Sequence, residues 1–92
     1  MNEELSDHDA TNLIKRIVAG GTVSFSTHGL RRCKQRKITT VDCVAVLRAG
    51  WVSEKEERNG SWRYSVCTQK FKVVVAFRSE DELVVVTAWR LL

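Results

Sequence analysis

The feature that most constrains this chain is the change of hydrophobic period at Gly50. Before it, apolar residues recur at helical spacing; from Trp51 to Arg90 they come in short runs separated by turn residues. Asn59-Gly60 separates the runs 51–56 and 61–68 and is the strongest hairpin signal present, because both residue types accept the positive φ of a tight turn. The polar stretch Ser79-Glu-Asp-Glu82 joins the runs 71–78 and 83–90 in the same way. Four consecutive strands joined this closely form an antiparallel meander, since a parallel return needs a long crossover.

The first half supplies what covers such a sheet. Ser6 followed by Asp9 marks a helix start, and Ala10, Leu13, Ile14, Ile17 and Val18 carry a helix over 7–19 until Gly20-Gly21 ends it. Its acidic first turn and the pair Lys15-Arg16 suit the helix dipole. Residues 22–26 alternate and predict a short strand, after which Thr27 is placed to cap a helix over 28–37. Ile38-Thr39-Thr40 breaks that pattern and offers a hydroxyl cap to a third helix over 41–49, which Gly50 ends.

Among the strands, Phe71, Val73, Val75 and Phe77 share one face, whereas Leu83-Val-Val-Val86 is apolar on both and is read as central or covered. The expected fold is α+β in the order α-β-α-α-β-β-β-β. Its helices pack on one face of a mainly antiparallel sheet of 4–5 strands and leave the other face partly open. Ninety-two residues suit one domain, 1–92, with an N-terminal helix in 1–21 and an α+β core in 22–91.

A composition of 43% hydrophobic and 28% charged residues with no Pro fits neither a disordered nor a fibrous chain. No apolar run reaches the roughly 18–20 residues that cross a bilayer, and Met1–Asp7 lacks the basic and apolar regions of a signal peptide. The expectation is a cytoplasmic protein without a membrane partner. Cys33, Cys43 and Cys67 lack paired metal or redox spacing and read as free, mostly buried thiols, so neither a metal nor another cofactor is expected.

The net charge of +4 is unevenly spread: seven Lys or Arg and no acid lie between Ala10 and Val41, a field that attracts nucleic acid or an acidic protein. Within it, His28, Arg32 and Arg36 fall four residues apart, which on a helix stacks an imidazole and two guanidinium groups along one stripe. Cleaving RNA without a metal requires a proton taken from the 2′-hydroxyl, charge stabilised on the phosphorane and a proton given to the 5′-oxygen. Histidine can do either proton transfer near neutral pH, and arginine clamps phosphate oxygens in pairs. His28 is therefore the candidate acid or base, with Arg32 and Arg36 holding the phosphate. The plainer alternative is a solvated helix face paired with Glu54, Glu56 or Glu57.

The stretch Phe25-Ser-Thr-His28-x-x-x-Arg32-x-x-x-Arg36-x-Ile38-Thr, a strand carrying Arg63-Tyr64, and the closing Val-Val-Val-Thr87-Ala-Trp-Arg90 resemble the domain of unknown function 4258 family. By apparent fold that family is similar to RelE-like and colicin-like small ribonuclease toxins, the BECR group. The resemblance covers roughly residues 22–91 and leaves the first helix outside. Gly29 departs from it, standing where a helix former is common.

What the resemblance implies is a metal-independent endoribonuclease of toxin–antitoxin type, acting on mRNA or tRNA and held by a cognate antitoxin. It adds Thr87 to the catalytic candidates. Arg31, Lys34, Arg63, Tyr64, Lys72 and Arg90 are the candidate nucleic-acid contacts. Strand alternation puts Thr87 and Arg90 on opposite faces unless a bulge intervenes, and Thr87 is the favoured one. Trp51, Trp62 and Trp89 could stack bases but are read as core. A noncatalytic nucleic-acid-binding module and a protein-binding regulator or inhibitor using the same basic surface remain the competing functions.

Overall fold

Ser6, Ser26 and Thr39 each turn a side-chain oxygen onto a backbone N–H three residues on, and these three caps set where the helices start. The computed structural model describes residues 3–92; Met1 and Asn2, the head of the expected unit, lie outside the described residues. Its elements are α1 (Asp7–Gly20), β1 (Thr22–Phe25), α2 (Thr27–Gln35), α3 (Thr40–Ala49), β2 (Trp51–Arg58), β3 (Ser61–Cys67), β4 (Phe71–Ser79) and β5 (Glu82–Arg90). The cap of α2 is thus Ser26 rather than Thr27. At α3, Thr39 and Asp42 form a reciprocal capping box, which holds the Asp42 carboxyl below its ordinary value.

The sheet order is β1-β5-β4-β3-β2. Strands β2 to β5 are the expected antiparallel meander, and Asn59 and Gly60 both take positive φ in its first turn. The short β1 adds a fifth strand parallel to β5, so Leu83, Val84 and Val85 have a strand on each side and are buried.

Helices α1 and α3 cover one face. Ile14, Ile17, Leu47, Val66, Val73, Val75 and Leu83 are each no more than 1% exposed, and each buried aliphatic side chain contributes roughly 1.5–3 kcal/mol. Lys15 lies in the middle of α1, not in its last turn. Its ammonium donates to the carbonyls of Arg48 and Gly50, at 2.7 and 2.9 Å, and so serves the C-terminus of α3. Between α2 and α3 the Cys33 and Cys43 sulfurs are 3.6 Å apart, and burial together with that neighbour pushes the Cys43 thiol up to about 12.

Two irregularities aim the strands. In β5, Val74 pairs with Thr87 but Val75 pairs with Val85, leaving Val86 as a bulge. Unbroken alternation from Leu83 and Val85 would turn residues 87 and 89 into the core. The extra residue instead sends Ala88 inward and brings Thr87 and Trp89 to the open face. In β2 the register shifts between Val52 and Glu54, so that Val52 is buried and Glu54 opens outward.

Candidate functional site

On the face left open by α1 and α3, a cleft of about 410 Å³ runs between α2 and the sheet. One wall is the predicted stripe: His28, Arg32 and Arg36 all line it. The sheet supplies Glu54, Glu56 and Arg58 from β2, Arg63 and Ser65 from β3, Lys72 and Val74 from β4, and Val86, Thr87 and Trp89 from β5.

Helix α2 can stand beside β5 because its first turn lacks a side chain. A Cβ at Gly29 would lie 2.3 Å from the Val85 carbonyl oxygen, an impossible contact. Ser26 ties the same place, donating its backbone N–H to Val85 O at 3.1 Å while its Oγ accepts from Gly29 N at 2.8 Å. The departure at Gly29 is thus a packing requirement that brings His28 to the rim.

The far end of α2 is closed by a Schellman motif. Ile38 N–H donates to Cys33 O and Lys37 N–H to Lys34 O, with Lys37 at a φ of 56°. Arg90 completes this end: its Nε and Nη2 donate to the carbonyls of Arg36 and Lys37 at 2.8 and 2.6 Å. Arg90 lies on the covered side of β5, over the ring of Phe71, and does not line the cleft. It braces the C-terminal end of α2 from outside the cleft.

Arg36 is held on three sides. Its Nη1 donates to Thr87 Oγ1 at 3.1 Å and to Ala88 O at 2.8 Å, and its guanidinium carbon lies 3.5 Å from the centre of the Trp89 ring. Thr87 therefore orients an arginine through its hydroxyl. Arg32 Nε donates to His28 Nε2 over a long 3.4 Å, an arrangement in which Nε2 is the ring nitrogen without a proton, and Arg32 Nη1 donates to Gln35. His28 is exposed, while Arg32 and Arg36 are half-buried.

The plainer pairing of the stripe with Glu54, Glu56 or Glu57 does not form among the described residues. Glu54 takes Lys72 at 3.2 Å and Glu56 takes Arg58 at 3.4 Å. Lys55 also reaches the cleft, but it is bound to Glu4 at 3.0 Å and to Leu5 O; the Glu4 carboxylate raises it above its usual value. Among the described residues no carboxylate stands within 4.0 Å of Arg32, Arg36 or Arg63. Arg63 Nε is moreover a buried donor without a partner, in the cleft wall. The charge that Arg32, Arg36 and Arg63 bring to the cleft is what a bound anion would balance.

Other predicted contacts fall elsewhere. Tyr64 is 1% exposed in the core, with its hydroxyl accepting from Leu5 N at 2.9 Å and its ring 5.3 Å from Phe77, so it cannot touch a surface ligand. Arg31 and Lys34 are exposed on α2 but do not line the cleft. The basic window as a whole is divided, since Lys15 serves α3. Trp89, read as core, is 44% exposed beside Arg36. Its signal was its two-residue spacing from Thr87, which places both on one face of the strand.

Glu54 and Glu56 also line the cleft, each held by its own basic partner. Among the described residues there is no group of three or more His, Cys, Asp or Glu that could hold a metal, and no helix long and apolar enough to cross a membrane. The family described as Domain of unknown function (DUF4258) matches residues 25–90. No curated protein matches the chain, and no solved structure does.

Proposed function

As the chain belongs to the domain of unknown function (DUF4258) family, whose description assigns no activity, we propose its function from the cleft itself: metal-independent endoribonuclease cleavage, of the toxin–antitoxin type. The observation that carries it is the convergence of His28 with three arginines that no carboxylate neutralises. Arg36, fixed by Thr87 and Trp89, and Arg63, which lines the cleft without a carboxylate partner, hold the scissile phosphate. The phosphate draws Arg32 away from the imidazole and frees His28 Nε2. That nitrogen takes the proton of the 2′-hydroxyl, the 2′-oxygen attacks phosphorus, and the bond to the 5′-oxygen breaks as that oxygen takes a proton from water. The products are a 2′,3′-cyclic phosphate and a 5′-hydroxyl end.

Kinship with RelE-like and colicin-like toxins, a cytoplasmic site of action and a cognate antitoxin covering the cleft belong to the same proposal. An open basic face backed by helices supports them. The test is incubation of the purified protein with total RNA in a chelating buffer beside His28→Ala. Cleavage leaving cyclic phosphate ends, lost in the variant, is expected; an intact RNA pool with both proteins overturns the reading. A noncatalytic RNA-binding role has one observation in its favour: His28 stands exposed with only Arg32 beside its ring, and no carboxylate orients it. In that case both proteins bind RNA in a salt-dependent manner and neither cuts it.

A further inference from the structure

Large indole rings left in water need a reason, and two of the three tryptophans stand on the open face. Trp51 is 65% and Trp89 44% exposed, whereas Trp62 packs against the core. The sheet register links the two exposed rings. Trp51 pairs with Cys67, Cys67 with Lys72, and Lys72 with Trp89, in one row across four strands. All four side chains face away from α1 and α3, because their neighbours Val52, Val66, Val73 and Ala88 are in the core. Three interstrand steps of about 4.8 Å separate the tryptophans by about 14 Å.

This row is continuous with the cleft. Lys72 and Trp89 line it, and Arg36 lies against the Trp89 ring. A ligand that suits the row carries flat apolar faces at intervals along an anionic chain. Single-stranded nucleic acid has that chemistry, while a duplex hides its base faces in the stack. We propose that Trp51-Cys67-Lys72-Trp89 is a base-stacking track that selects single-stranded RNA, with Trp51 holding a base some nucleotides away from the phosphate at Arg36. The proposal rests on the reading of the cleft as a polynucleotide site.

Titration by fluorescence anisotropy of an uncleavable 2′-O-methyl uridine octamer, the same octamer in duplex form, and inorganic polyphosphate as a polyanion without bases tests it. Trp51→Ala should weaken octamer binding roughly tenfold or more, Trp51→Phe should keep most of the affinity, and polyphosphate binding should not change. Equal octamer affinity in wild type and Trp51→Ala, with Arg36→Ala still weakened, overturns the track and leaves the cleft standing. Duplex bound as tightly as single strand also overturns the track. Failure of the wild type to bind either octamer or polyphosphate removes both readings. An unchanged thermal midpoint in Trp51→Ala shows that the folded state is the one being measured.

Discussion

The two faces of the same sheet differ in almost every respect that matters. On β5, Leu83, Val85 and Ala88 are fully buried against the helices, whereas Thr87 and Trp89, on the same strand, meet an arginine in an open cleft. The covered face is saturated: Tyr64, Val66, Val73 and Val75 pack in one cluster, and even the Tyr64 hydroxyl has its partner. The open face is left unsaturated, with Arg32, Arg36 and Arg63 uncompensated and one arginine nitrogen without a partner. The packed core and the proposed site thus lie on opposite sides of one sheet, and a substitution should disturb one without the other.

The largest effect is expected on the covered side. Tyr64→Ala removes a ring from the core and an acceptor from Leu5 N, and should cost about 3–5 kcal/mol in a urea denaturation curve, a large part of a small domain's stability. If Tyr64→Ala instead spares the fold and abolishes RNA binding, the division between the faces is wrong. On the open side, His28→Ala should lower RNA cleavage roughly 100-fold or more with no change in the denaturation midpoint.

Arg36→Ala should next weaken RNA binding about tenfold and reduce the slope of log affinity against log salt by roughly one. Arg90→Ala, on the covered side of β5, should leave that slope alone and lower stability by about 1 kcal/mol through the two lost carbonyl contacts. Equal salt slopes for Arg36→Ala and wild type would show that the cleft arginine meets no phosphate.

Smaller effects sit at the helix ends. Lys37 holds a φ of 56°, so Lys37→Gly should raise stability by about 1 kcal/mol without touching the cleft. Asp42 is held below its ordinary value of 3.8, first by the backbone N–H of Thr39 and then by its side chain. A lowered carboxyl contributes stability that is present above the unfolded value and is lost as pH falls through the folded one. Asp42→Asn should therefore flatten the acid limb of a stability profile below about pH 4, and an unchanged limb would remove the capping box from that account.

Much of the fold was legible because its signals are local. Asn59-Gly60 specifies its own turn, Ser6 and Thr39 sit beside the N–H groups they cap, and helical spacing marks α1 without reference to any partner. The stripe His28, Arg32, Arg36 was legible for the same reason, since a helix places residues four apart on one side whatever surrounds it. Tyr64 and Trp89 were less legible because an aromatic on a strand is equally suited to either face. Only the strand's partners decide which face is covered.

Local periods and turn chemistry by themselves determined that helices precede a four-strand meander and that a basic stripe lies on the second helix. Tertiary structure alone decided what that stripe meets. The parallel pairing of β1 with β5, the close approach at Gly29 and the bulge at Val86 each depend on a neighbour distant in sequence. The bulge is the clearest case, for one extra residue inverts every side chain that follows it. Through that inversion Thr87 and Trp89 reach Arg36 instead of the core.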